Sequence, residues 1–156
     1  MFVFNFRLKS KRNLLIFSII AILIIAFIFL ITSINKSNMV PDTATCDEIG
    51  EYSLCAENTQ KQRDFISQLG YEVDKEIASD VVTIPSEFNS VYEKYNLLQK
   101  HMGLDLSKFR GETALQIKFK LLNTDKKYAV LLICDGKVIG GHITNGEYGS
   151  EIQPLI

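Results

Sequence analysis

The stretch ETALQIKFKLLNTDKKYAVLLICDGKVIGGHI, residues 112–143, decides the fold. From Leu115 to Leu121 apolar and polar side chains alternate strictly, which predicts a strand with one buried face and one solvent-exposed face. The next run, YAVLLIC at 128–134, is apolar throughout and predicts a central strand. The Asp-Gly pair that follows is a signal for a two-residue hairpin turn leading into KVIGGHI. The stretch therefore predicts an antiparallel sheet of at least three strands.

Two helices are predicted before this sheet. The first begins at Asn58, a residue type that caps helix N-termini, and ends at Gly70. The second begins after Pro85-Ser86 and ends at Gly103. Apolar side chains recur along one of its faces at spacings of three and four: Phe88, Val91, Tyr92, Tyr95, Leu98 and Met102. We therefore predict an α+β domain with both helices packed on one face of the antiparallel sheet.

Residues 14–34, LLIFSIIAILIIAFIFLITSI, contain no charged side chain. At about 1.5 Å rise per residue, a helix of this length is roughly 32 Å long and matches a hydrocarbon core of about 30 Å. A cleaved signal peptide is the alternative, but its apolar region is about 7 to 15 residues long and ends at an A-x-A site, which this sequence lacks. We predict an uncleaved transmembrane signal-anchor.

The charges around this segment predict its orientation. One cation, Lys36, follows it closely, whereas four precede it: Arg7, Lys9, Lys11 and Arg12. Positive charge stays on the cytoplasmic side, so we expect a single-pass protein of the cell membrane with its C-terminal part outside. The predicted organisation is a cytoplasmic N-terminus at 1–13, a transmembrane helix at 14–34, a flexible linker at 35–56 and an extracytoplasmic α+β domain at 57–156.

The part predicted outside the membrane is acidic. From Lys36 onward the sequence has 18 carboxylates and 13 Lys and Arg, a net charge of −5. This charge argues against nucleic acid and against anionic lipid headgroups as partners. We expect instead one membrane span and a protein or cell-envelope component as the partner.

The cysteines predict one disulfide. Cys46 and Cys55 are eight residues apart in a segment predicted outside the membrane, where disulfides persist. A bridge would close a loop of about ten residues, worth roughly 2.5 to 3 kcal/mol in the chain-entropy treatment. Free thiols are the alternative, and a zinc site would need four ligands where this part adds only His101 and His142. Cys134 is predicted to be a small buried residue.

Residues 82–112, VTIPSEFNSVYEKYNLLQKHMGLDLSKFRGE, resemble a family of small membrane-anchored extracytoplasmic proteins of low-GC Gram-positive bacteria, known as a domain of unknown function. Its Ile-Pro, Glu-Phe, Tyr-x-x-Tyr-Asn, Gln and Gly-x-Asp-Leu elements occur in order, and QRDFISQLGYEV and VIGGHI extend the resemblance over 62–143. His142 departs from the pattern, which has an acidic residue after the paired glycines. The resemblance implies an extracytoplasmic domain behind one anchor and supplies no activity, cofactor or catalytic residue.

A groove between the second helix and the last strand is the candidate binding site. Two tyrosines and an asparagine put hydroxyls and an amide on a mostly buried helix, where such groups need partners. A glycine pair inside the last strand indicates a bulge or a close approach to the backbone, and a histidine follows it. Core packing with one satisfied amide is the alternative interpretation. The groove residues are Tyr92, Tyr95, Asn96, Gly140, Gly141 and His142.

Motifs for catalysis and for cofactors are missing from the sequence. It has no G-x-S-x-G, no H-E-x-x-H and no glycine-rich phosphate loop, and no serine from Ser53 onward stands in an S-x-x-K setting. We therefore expect a membrane-anchored, non-catalytic binding or sensory module without cofactor or metal. The alternatives are a small cell-envelope enzyme with a site near the last strand, around His142, and an inhibitory or structural partner of another membrane protein.

Overall fold

The computed structural model describes residues 19–28, 40–125, 127–147 and 149–156. The chain divides into two compact units, Met1–Met39 and Val40–Ile156. Of the first unit, residues 19–28 are described; they are helical and expose their apolar side chains. The predicted cytoplasmic N-terminus and most of the predicted transmembrane segment 14–34 lie outside the described residues. Within the described ranges, no helix has both the length and the apolar character needed to cross a membrane.

The second unit is an α+β domain, as predicted. Its elements in chain order are β1 (Thr43–Cys46), β2 (Gly50–Ser53), α1 (Thr59–Gln68), β3 (Val73–Thr83), α2 (Ser90–His101), a 3-10 helix (Leu106–Phe109), β4 (Thr113–Leu121), β5 (Tyr128–Cys134) and β6 (Lys137–Thr144). β1 and β2 form a two-stranded sheet, and the other strands form an antiparallel sheet in the order β3-β4-β5-β6. The three strands predicted from residues 112–143 are therefore confirmed, and β3 adds a fourth.

One face of the large sheet carries the main hydrophobic core. Directly paired residues of antiparallel strands point to the same face, so Phe119, Ala129 and Ile143 lie side by side. All three are buried, and they belong to one cluster with Phe65 and Ile66 of α1. The alternation predicted for β4 thus holds over most of its length.

The predicted linker is the first point at which the structure differs from the sequence analysis. Residues 43–53, expected to lie in a flexible tether at 35–56, form the β1–β2 hairpin instead. Ala44, Cys46 and Tyr52 are buried in the core cluster. The Tyr52 hydroxyl also donates to the backbone carbonyl of Met102. The hairpin is part of the domain because these three side chains pack into its core, while Ile49 at the turn stays exposed.

The predicted Cys46–Cys55 disulfide is absent from the structure, in which all three cysteines are free thiols. Cys46 pairs with Gly50 at the turn of the hairpin, whereas Cys55 pairs with Lys137 beyond its other end. Five residues of extended chain separate the two cysteines along the hairpin, roughly 16 Å, whereas a disulfide needs Cα atoms within about 7 Å. The expectation of an extracytoplasmic disulfide therefore fails on geometry.

The helices are not both on one face of the sheet, in contrast to the prediction. The backbone N–H of Gly141 in β6 donates to Gln99 Oε1 of α2 at 2.7 Å. On the same outer edge of β6, Val138 N–H donates to Leu54 O and Ile143 N–H donates to Gln153 O. α2 thus lies against the outer edge of the last strand, and the chain itself occupies the hydrogen-bonding groups of that edge.

Candidate functional site

A row of side chains crosses the second face of the large sheet. Ala78 pairs with Lys118, Lys118 with Val130, and Val130 with His142, one residue from each strand. Because paired residues share a face, these four side chains form one line, which we call the central row. A cleft of about 380 Å³ opens above it. The other residues that line the cleft are Asp80, Gln116, Thr144, Gly146 and Glu147.

The neighbouring row, in which Asp80, Gln116, Leu132 and Gly140 pair in turn, is covered at its β5 and β6 end, and this limits the cleft on that side. Gly140 is buried, and a methyl group placed on it would lie 3.1 Å from both Gln99 Oε1 and Leu106 Cδ2. Gly140 pairs with Leu132, which is also buried. α2 and the 3-10 helix therefore cover the sheet beside the central row and form one boundary of the cleft.

His142 is held in the cleft by a tyrosine of α2. The Tyr95 hydroxyl lies 3.0 Å from His142 Nδ1, and the two rings meet edge to face at 5.5 Å between centroids. Burial raises the pKa of Tyr95, with Tyr92 nearby adding to the effect, so the hydroxyl keeps its proton. Burial, reinforced by the charge of Lys118, lowers the pKa of His142 to about 4. The imidazole is therefore neutral at physiological pH.

The proton of this neutral imidazole is assigned from its partner. The Tyr95 hydroxyl makes no other hydrogen bond among the described residues, so its proton is satisfied by donation to Nδ1. In the neutral ring, Nε2 then carries the hydrogen. With this assignment, His142, which lines the cleft, carries its one N–H donor at Nε2.

Lys118 places a positive charge at the middle of the cleft. Its Nζ lies 4.1 Å from the centroid of the Tyr128 ring. Within the described ranges no carboxylate lies within 4.0 Å of this ammonium group. The carboxylate of Asp80 accepts the backbone N–H of Val81 at 2.8 Å, and Glu147 lies 3.5 Å from Lys127. The cleft therefore combines a cation without a carboxylate partner, a neutral imidazole donor and two carboxylates.

This arrangement suits recognition by charge and hydrogen bonds. Among the described residues, those that line the cleft include no serine or cysteine, and Thr144 Oγ1 accepts the backbone N–H of Gly146. His142 Nδ1 is engaged by a phenol, so no carboxylate orients the ring as in a catalytic triad. No group of three or more His, Cys, Asp or Glu side chains suited to a metal ion occurs in the described part of the chain.

The structure brings only part of the predicted groove together. Tyr95 and His142 are in contact, and the rings of Tyr92 and Tyr95 meet edge to face at 5.6 Å between centroids. The predicted groove between α2 and β6 is filled by Gln99 and Leu106, which contact the glycine pair. The opening lies beside this contact, on the face of the sheet.

Asn96 is fully engaged within the protein. Its Nδ2 donates to Asp105 Oδ1 at 2.9 Å, and its Oδ1 accepts the backbone N–H of Leu106 at 2.8 Å. Burial alone raises the pKa of Asp105, but hydrogen bonds from Asn96 and Ser107 outweigh it and bring the pKa to about 2. The alternative interpretation of one satisfied amide is thus correct for this residue.

The sequence analysis missed three residues that shape the site. Gln99 is fully buried, Lys118 carries the central charge, and Asp80 lies on the exposed strand β3. A signal for Gln99 exists: it stands four residues after Tyr95 and three before Met102, within the apolar stripe of the helix. Lys118 and Asp80 have no such signal, because polar residues on a solvent-exposed strand face are ordinary.

Comparison with known proteins places this domain. Residues 65–143 match the domain of unknown function DUF4830. The chain belongs to the DUF4830 family. The match runs from α1 to β6 and so includes the central row and Tyr95, whereas β1 and β2 precede it. No curated protein and no solved structure matches the chain at a significant level.

Proposed function

We propose that this DUF4830 protein is a membrane-anchored extracytoplasmic module that binds its ligand in the cleft above the central row. The observation that carries the proposal is the pairing of Lys118, which has no carboxylate partner, with a neutral His142 whose orientation Tyr95 fixes. Polar groups in a concave site whose other hydrogen bonds are made within the protein are typical of ligand recognition. The module is non-catalytic and acts as a binding or sensory domain.

The location of the module rests on the sequence. Residues 14–34 are apolar over the length of a membrane span, and four cations precede them. The net charge of −5 after the segment disfavours nucleic acid, so the partner is a protein or a component of the cell envelope.

A photo-cross-linking amino acid in place of Gln116, in the full chain in its native membrane, tests the binding cleft. We expect a discrete adduct that is lost when Lys118→Gln is added, because that change removes the central charge. The control places the same cross-linker at Leu122, which is 55 % exposed and does not line the cleft. Identical adducts at both positions, or an adduct indifferent to Lys118→Gln, would contradict the proposal.

A small cell-envelope enzyme is the second candidate, because His142 shares the cleft with Lys118, Asp80 and Glu147. Titratable groups that converge on one cavity are a feature of active sites. The same cross-linking experiment separates the two candidates. Chemical change of the captured ligand that depends on His142 would favour the enzyme, and recovery of the ligand intact supports the binding module.

A further inference from the structure

We propose that the cleft binds a short peptide of two or three residues with free ends, its carboxylate held by Lys118 and His142 and its ammonium group by Asp80. This inference rests on the proposed function and adds the chemical class of the ligand. It follows from the distribution of charge across the central row and its neighbours.

The carboxylate end is assigned from the two donors of the central row. Lys118 and His142 both pair with Val130, one from each neighbouring strand, so their side chains stand on either side of it. A cation and a neutral N–H donor that line the same cleft match an anionic group with two acceptor oxygens. Val130 is buried and forms an apolar floor between them. A carboxylate placed there would accept hydrogen bonds from both side chains.

The ammonium end is assigned from Asp80. This residue pairs with Gln116, one row away from Lys118, and lies on the same face. Its carboxylate accepts one backbone N–H and, within the described residues, has no cation within 4.0 Å. Glu147, the second carboxylate of the cleft, already lies 3.5 Å from Lys127. Asp80 is therefore the carboxylate of the cleft that has no cation partner among the described residues.

The separation of these two ends sets the length of the ligand. Val130 is on β5 and Asp80 is on β3, two strand spacings and one row apart, which is about 12 Å. In a free amino acid the ammonium and carboxylate groups share one carbon and cannot reach both positions. Each further residue adds about 3.5 Å of extended chain. Two or three residues therefore span the gap, because the side chains of Lys118, His142 and Asp80 shorten it.

Trialanine and its capped forms test the inference on the purified full chain in detergent micelles. Isothermal titration should show binding of trialanine. Binding should weaken at least tenfold for N-acetyl-trialanine, for trialanine amide and for free alanine, because each lacks one end or the span. Equal affinity for the capped and uncapped peptides would overturn the inference.

Matched variants locate the two ends. Lys118→Gln should weaken trialanine binding at least tenfold and leave the already weak binding of trialanine amide unchanged. Asp80→Asn should also weaken trialanine binding at least tenfold, and it should leave the already weak binding of N-acetyl-trialanine unchanged. The controls Lys94→Gln and Asp74→Asn remove the same charges from exposed positions outside the cleft and should bind trialanine like the wild type. Loss of binding in the controls, or retention in the cleft variants, would contradict the assignment.

Failure of this inference is distinguishable from failure of the proposed function. If no peptide binds while the cross-linker at position 116 still gives an adduct that depends on Lys118, the cleft binds a ligand of another class. If neither peptide nor adduct is found, both the peptide and the binding cleft are wrong.

Discussion

At the scale of single residues, the contact between Tyr95 and His142 shows how packing sets chemistry. The hydroxyl of a helix residue and the imidazole of a strand residue meet at 3.0 Å, 47 positions apart in the sequence. Burial and the nearby Lys118 keep the imidazole neutral. The result is a histidine that acts as an oriented donor at physiological pH.

The titration of His142 predicts a loss of stability at mildly acidic pH. Its pKa falls from 6.5 in the unfolded chain to about 4 in the folded protein. Between these values the unfolded chain binds a proton that the folded protein does not, so stability is complete above pH 6.5 and decreases as the pH falls toward 4. The full effect is about 3.4 kcal/mol.

Unfolding of the full chain by urea between pH 7 and pH 4 measures this effect. His142→Gln should flatten the pH dependence over that interval, whereas His101→Gln, at an exposed position at the end of α2, should leave it as in the wild type. Parallel profiles for the wild type and His142→Gln would show that the imidazole is not buried as described.

The paired glycines predict unequal costs of substitution. A methyl group on Gly141 would lie 2.6 Å from the carbonyl oxygen of Val130 and 2.6 Å from Leu155 Cδ1, whereas one on Gly140 would meet only side-chain atoms, at 3.1 Å. Backbone atoms cannot move aside cheaply, so Gly141→Ala should destabilise the protein by about 1 to 3 kcal/mol, and Gly140→Ala should cost less. Thermal unfolding of the two variants compares them directly, and the reverse order would contradict the packing described here.

At the scale of elements, Gln99 joins α2 to the edge of β6. The helix buries two polar residues, Asn96 and Gln99, while Val91 and Leu97 remain exposed. Asn96 accepts a hydrogen bond from the first residue of the 3-10 helix. Gln99 accepts the outward N–H of Gly141, which lies along β6 between the residues that bond to Leu54 and to Gln153. An edge strand that is covered in this way is protected from pairing with other chains.

Removal of the Gln99 amide should weaken the contact between α2 and β6. Gln99→Leu keeps a side chain of similar size but leaves the N–H of Gly141 without an acceptor, at a cost of about 1 to 3 kcal/mol. Hydrogen exchange at the Gly141 amide should also become faster. Gln60→Leu is the control, since Gln60 is exposed and bonds only to Asp64. Equal stability of the two variants would show that Gln99 is not the acceptor on which the edge depends.

The elements also show how far the sequence could predict the structure. The β4–β6 meander was predictable because strict alternation and an Asp-Gly turn are local signals. The β1–β2 hairpin was not, since Ala44, Cys46 and Tyr52 acquire a common face only when the core is assembled. The same hairpin separates Cys46 from Cys55.

For the site, the sequence predicted correctly that Tyr95 and His142 lie together. The position of the opening could not be predicted, because it depends on Gln99 and Leu106, which fill the predicted groove.

At the scale of the whole molecule, the chain has an apolar N-terminal segment and an acidic domain with an open cleft. The family match includes α2 and the 3-10 helix, which border the cleft, and nearly all of the large sheet, but it begins within α1. Membrane anchoring and an extracytoplasmic domain remain predictions from residues 14–34 and the charges around them. The central claim is that the protein displays the open face of its sheet outside the cell membrane.

Labelling of an introduced cysteine in intact cells tests this claim most directly. In a full chain with its three cysteines replaced by alanine, Gln116→Cys should react with a maleimide that does not cross the membrane. Ile117→Cys, at a position that is 2 % exposed on the opposite face, should not react. Labelling of position 116 only after permeabilisation would contradict the extracytoplasmic location, and failure to label it even then would contradict the open cleft.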